Sequence, residues 1–236
     1  MSATTLVHPA DSAVRARRAA ATVLLALLAT AVVGRLVFLL WEPPFDGAIR
    51  YDEIAALGGA YWPMNIFLGG PAWATSFLAA AVFAVLLARG RTAWLGLLGA
   101  FLVAGGGLLF AMTITAETLP FAFAADTGIF PEAEGRAIFD VLNAHLGWLL
   151  PIILGTQAVV ALGFLLVLVA ALLSRATPRW FPIAGIAYLI VFLVLPTEQL
   201  GFAAVVAGQV IQCALLVGIA WFGRLALTAP RAAPPA

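Results

Sequence analysis

The sequence predicts an all-α protein, a polytopic bundle of six transmembrane helices with both termini in the cytoplasm. Three observations carry that expectation. Of 236 residues, 64% are hydrophobic and 10% are charged, against about 45–50% apolar and about 25% charged in soluble domains, so the chain cannot build a soluble protein's polar shell. Six apolar stretches reach or approach the roughly 20 residues that span a bilayer. The charges are sorted between alternate connections.

Residues 1–18 are read as a cytoplasmic tail, basic near its end and expected to be disordered over its first 14 residues. The first span covers 19–40; its apolar run continues past Ala29-Thr30-Ala31 to Trp41, which fits a retained helix better than a cleaved signal peptide. Connection 41–63 opens on Glu42-Pro43-Pro44. It then sets Ile49, Ile54 and Leu57 beside Arg50, Asp52 and Glu53, the weak amphipathic pattern of a short interfacial helix. The second span, 64–88, carries Ala72, Ser76, Ala80, Ala84 and Ala88 at every fourth position, a small-residue stripe that lets backbones approach closely. Gly96, Ala100 and Ala104 repeat the device in the third span, 93–115.

Connection 116–143 turns at Gly128-Ile129-Phe130-Pro131. Pro131 followed by Glu132 and Glu134 marks a helix start, since proline lacks the donor a first turn cannot use and acids complement the helix dipole. That helix is expected to run into the fourth span, 144–173. The fifth, 181–195, is the shortest, and Trp180 and Thr197 extend it toward the interfaces; the sixth is 200–222. One six-helix domain thus occupies 19–224, and 225–236 form a disordered cytoplasmic tail.

Arginine sets the orientation. Arg15, Arg17, Arg18, Arg89, Arg91, Arg175, Arg179, Arg224 and Arg231 all fall on one side, while Glu42, Asp46, Asp52, Glu53, Glu117, Asp126, Glu132, Glu134, Asp140 and Glu198 fall on the other with Arg50 and Arg136. By the positive-inside rule the arginine side is cytoplasmic, in a bacterial inner or plasma membrane. Trp41, Trp62, Trp94, Trp148, Trp180 and Trp221 lie near span ends, where indole rings favour the headgroups; Trp73 alone does not.

Composition also excludes chemistry. All twelve cations are Arg, so lysine Schiff bases, lysine nucleophiles and Walker phosphate loops are absent. A single cysteine, Cys213, allows no intrachain disulfide and no thiolate zinc site. Serines occur only at Ser2, Ser12, Ser76 and Ser174, with no Gly-x-Ser-x-Gly element. No aspartate-rich motif binds magnesium diphosphate, no cofactor is implied, and the net charge of +1 is sorted by side rather than gathered into a nucleic-acid patch.

What remains is a set of polar residues at membrane depth, where ionisable groups are costly and functional. Arg35 lies six residues before Trp41, about 9 Å below the outer end of its helix. Asn65, Glu117, His145 and Glu198 lie at a similar level and would form with it an outward-facing polar cluster; the competing reading has Arg35 snorkelling to headgroups and Glu198 capping a helix. Deeper, Gln157 faces Gln209 and Gln212, either as interhelical glue or as the floor of a cavity. His145 with Asp140 and Glu117 has no metal-ligand spacing, so no metal site is expected; His145 and Asp140 as an acid–base pair is the weaker alternative.

The Arg-rich start, the run from Gly99 to Ala111 ahead of Pro120, and Pro178-Arg179-Trp180 before the fifth span make the chain similar to uncharacterised small six-span bacterial membrane proteins. That resemblance implies a six-helix fold over 19–224 and no activity. By size alone the chain also resembles small integral-membrane terpene cyclases, which carry seven spans and use embedded acids. The leading expectation is therefore a protein that binds or moves a small or lipophilic ligand through an outward polar pocket built from Arg35, Asn65, Gln157, Gln209 and Gln212. The alternatives are an intramembrane acid catalyst using Glu117, Glu198, Asp140 or His145, and an accessory subunit docking a membrane partner. Membrane lipids are its expected surroundings.

Overall fold

The computed structural model describes residues 9–45, 47–195 and 200–228. Among them every regular element is helical: α1 (Pro9–Trp41), α2 (Tyr51–Leu57), α3 (Tyr61–Met64), α4 (Gly70–Leu87), α5 (Ala93–Ala125), α6 (Glu132–Ala144), α7 (Leu150–Ser174), α8 (Trp180–Val194) and α9 (Phe202–Thr228). Five segments are long and apolar enough to cross a membrane: Val14–Trp41, Tyr51–Leu87, Gly90–Ala125, Leu150–Ser174 and Phe202–Leu227. The sixth apolar helix, α8, has 15 residues, which at 1.5 Å each reach about 22 Å of a hydrocarbon core about 30 Å thick. Phe67, Phe101, Met112 and Ile190 lie exposed on the outside of the bundle, as suits a surface solvated by lipid chains.

The small-residue stripe of α4 is buried where it was expected to pack. Ala72, Ser76, Ala80 and Ala84 are all covered, with α4 packed against α1 and α9, which also touch each other. The closest crossing is α5 over α7. A Cβ on Gly99 would stand 2.6 Å from the Gly163 carbonyl oxygen, and one on Gly163 would stand 2.8 Å from that of Gly99. Neither position accepts any side chain while the helices stay at this separation, so two glycines fix the contact.

The two ends of the bundle differ chemically. At one, Arg89 Nη2 donates to the Ala226 carbonyl at 2.9 Å, Thr92 Oγ1 donates to that of Ala170 at 3.4 Å, and Arg18 and Arg224 line a common recess. At the other, the two long connections fold over the helices as a cap. Asn143 ties them by accepting from Ile49 N and donating to Ile49 O, both at 2.9 Å. Phe139 of α6 stacks edge-on against Tyr51 of α2 and Phe121 of α5, with ring centroids 5.2 and 5.0 Å apart. Arg136 binds Asp52 and Glu132 and lies 4.5 Å over the Tyr51 ring. The sorting of arginines from carboxylates along the chain is thus a sorting between the ends of the fold.

Four boundaries differ from the sequence reading. α5 continues ten residues past Thr115 to Ala125, because Phe121 and Ala124 are buried under the cap and reward the extra turns. α6 begins at Glu132 as expected but ends at Ala144 instead of entering the next span. Leu146–Trp148 form one tight turn and α7 starts anew at Leu150, with Pro151 in its first turn. A proline there cannot continue an incoming helix, since it lacks the N–H and crowds the carbonyl four residues back. Finally, α1 is already helical at Pro9 and α9 runs to Thr228, so the Ala-rich ends of the expected tails belong to helices.

Candidate functional site

Arg35 organises the interior. It is 2% exposed, and it lies on the face of α1 that meets α4 and α9. Its Nη1 donates to Ser76 Oγ at 3.1 Å, and its Nη2 donates to Gln209 Oε1 at 2.9 Å and to Gln212 Oε1. The guanidinium carbon stands 3.5 Å from the centre of the Trp73 ring and 5.2 Å from that of Phe77. Among the described residues every acceptor it reaches is neutral, and its buried Nε has no partner. A cation in this setting is stabilised by aromatic faces and amide dipoles, worth about 2 kcal/mol or more for a desolvated cation–π contact and about 1.5–3 kcal/mol for each hydrogen bond to a charged group.

The same glutamines face a cavity of about 120 Å³ between α4, α5, α7, α8 and α9. Trp73, Phe77, Phe110, Phe164 and Phe192 supply its apolar wall, and Gln157, Gln209, Gln212 and Tyr188 its polar one. The Tyr188 hydroxyl donates across α8 and α9 to the Gly208 carbonyl at 3.0 Å. Because Arg35 offers only donors, Gln209 and Gln212 must turn their oxygens toward it, which leaves their N–H groups as the donors available elsewhere. The lining comes from the first half of α7 and α9 and the last half of α8, so the cavity lies in the half of the bundle nearest the carboxylate-bearing cap.

The sequence-predicted residues divide into three groups. Arg35, Gln209, Gln212 and Gln157 come together at the cavity. Asn65 is buried in a π-helical turn, Asn65–Gly69, and donates back to the Tyr61 carbonyl at 3.0 Å, an intrahelical role. Glu117 is half-buried near the end of α1, where it acts on Glu42; burial first, and Glu117 second, push the Glu42 carboxyl up to about 8. Asp140 is exposed on α6, and His145 is exposed at its end, with Nδ1 at 2.7 Å from the Val141 carbonyl and its ring edge-on to Trp148. Glu198 lies outside the described residues. Among the described residues no three His, Cys, Asp or Glu side chains gather as a metal site.

Trp73, Ser76 and Tyr188 were missed as site residues. Trp73 carried a usable signal, as the one tryptophan away from the interfacial belt; Ser76 was visible only as a member of the small-residue stripe. No family model, curated protein or solved structure matches the chain.

Proposed function

We propose that this protein is a multi-pass protein of a bacterial cell membrane that binds or moves a small, largely lipophilic ligand in the cavity between α4, α5, α7, α8 and α9. In this reading α8, with its 15 residues, makes a sixth and short crossing. Both termini are cytoplasmic and the cavity's half of the bundle faces outward, as the positive-inside rule favours. One observation carries the reading: a space walled by five aromatic rings with three carboxamides converging on it. This is the apolar-with-few-polar-groups character of small-molecule sites. Its volume is close to the roughly 150 Å³ of an apolar cavity that admits benzene, which points to a ligand of about one ring's bulk.

Gly208 supplies the test. It lines the cavity, and a Cβ there meets nothing within 4 Å, so a side chain can start from this position and Gly208→Phe is the variant expected to occupy the space. Phenol added to the purified protein in nanodiscs should raise the thermal unfolding midpoint of the wild type and not that of the variant. Equal shifts in both, or none in either, would remove the binding reading. A second reading, acid catalysis on a lipid-soluble substrate, draws on the Glu42 carboxyl, which at about 8 keeps its proton at neutral pH beside Glu117. It requires that Glu42→Gln and Glu117→Gln each abolish turnover while leaving phenol binding intact.

A further inference from the structure

We infer that the cavity recognises a small organic monoanion, a carboxylate of about one aromatic ring's bulk, through carboxamide donors that Arg35 orients. The inference rests on the ligand-binding reading above and names the chemical class it leaves open. Three features of the site lead to it.

The first is charge. Arg35 is buried among neutral acceptors, with Nε unpartnered, and no carboxylate reaches it among the described residues. Buried charges are normally paired, because taking an ion out of water costs several kcal/mol that only an opposite charge or a full set of hydrogen bonds repays. Among the described residues the set is incomplete and no opposite charge is present. An anionic ligand would supply it from the cavity side, one carboxamide away.

The second is polarity of the lining. With their oxygens held by Arg35, Gln209 and Gln212 can present only N–H donors to a ligand. Rotating either amide would set N–H against guanidinium N–H, so the donor orientation is fixed by the cation behind it. Gln157 completes a donor-capable wall from α7. Two donors from adjacent turns of one helix suit the two oxygens of a carboxylate.

The third is exclusion of the opposite class. Aromatic walls ordinarily attract cations, but the face of Trp73 is already covered by the guanidinium at 3.5 Å and Phe77 lies under the same charge. A cationic guest would face Arg35 at low dielectric, where repulsion between like charges is weakly screened. At the cap, Arg136 binds both Asp52 and Glu132 and Glu53 pairs with Arg50, which offsets part of the negative charge an approaching anion meets.

The test compares benzoate with its neutral isostere benzamide, and with phenol, on the purified protein in nanodiscs by calorimetric titration. Benzoate should bind at least about tenfold more tightly than benzamide, and Gly208→Phe should abolish all three. In Gln209→Glu, whose new carboxylate pairs with Arg35 in place of the 2.9 Å amide contact, benzoate should lose its advantage while phenol binds as before. Arg35→Met should behave likewise, and Gln209→Glu keeps the test decisive if that variant does not fold. If benzoate binds no better than benzamide while phenol still binds in a Gly208-sensitive way, the anion inference fails and the ligand-binding reading stands. If none of the three binds in that way, the reading itself fails.

Discussion

The contact between Arg35 and Gln212 can be measured as a coupling energy, and its size separates a designed interaction from incidental proximity. Interhelical hydrogen bonds between neutral groups in membranes contribute about 0.6 kcal/mol on average. This one has a charged donor, whose hydrogen bonds run to about 1.5–3 kcal/mol, and a cation that already leaves Nε unpartnered. Gln212→Leu therefore removes one of the three acceptors that Arg35 reaches among the described residues and should destabilise the protein by about 2 kcal/mol. In an Arg35→Met background the same change deletes an amide with nothing to serve, and its effect should fall below about 0.5 kcal/mol. The double-mutant cycle then returns a coupling of about 1.5 kcal/mol. The assay is reversible unfolding in mixed micelles of rising dodecyl sulfate fraction, followed by far-ultraviolet circular dichroism for the wild type, both single variants and the double variant. A coupling below about 0.5 kcal/mol, the level at which distant sites are additive, would refute the account of Arg35 as the organiser of these glutamines.

Two further outcomes follow from packing and from proton linkage. Gly99→Val forces atoms into a crossing where even a Cβ stands 2.6 Å from the Gly163 oxygen, and overpacking should cost about 1–3 kcal/mol in the same micelle assay. Gly105→Ala, where a Cβ meets nothing within 4 Å, should instead stabilise α5 by about 0.5–1 kcal/mol; equal effects would show that the α5–α7 crossing is not set by glycine. The Glu42 carboxyl holds its proton more tightly in the folded protein, up to about 8 against an ordinary 4.5. The stability it contributes is complete below about 4.5 and is lost as pH rises toward about 8. Unfolding midpoints should decline over that window and the decline should flatten in Glu42→Gln; an unchanged slope in the variant would place the titration elsewhere.

Much of the fold was legible because its causes are local. Apolar runs of spanning length, arginines on alternate connections and a small residue at every fourth position of α4 depend on the chain itself; five of the six expected runs are found at spanning length, and the stripe is buried as read. The break at His145 was legible too, had Pro151 been weighed against the expected continuous helix. The site was half legible. Arg35, Gln157, Gln209 and Gln212 stood out by polarity, yet Arg35 was grouped with Asn65, Glu117, His145 and Glu198 from the depth of its backbone alone. Side chains on a helix lean toward its N-terminus. The N-terminal end of α1 is the arginine end, so Arg35 leans deeper, while Gln209 and Gln212 on the oppositely directed α9 lean up to meet it. Depth is readable from sequence, whereas azimuth, which brings Ser76 and Trp73 to the guanidinium, is set by packing between helices and is not.

The account's central claim, an outward-opening cavity under positive potential, is tested most directly by the reaction of one thiol. Gln157→Cys in a Cys213→Ala background places a single cysteine on the cavity wall. Intact cells are treated with membrane-impermeant methanethiosulfonates, one bearing a sulfonate and the other a trimethylammonium group, and each rate is normalised to that with a free thiol in solution. The account predicts labelling from outside, with the anionic reagent favoured by about tenfold, equivalent to about 1.4 kcal/mol of electrostatic preference, and with the preference gone in Arg35→Met. Labelling only after the cells are opened, or a faster cationic reagent, would contradict it.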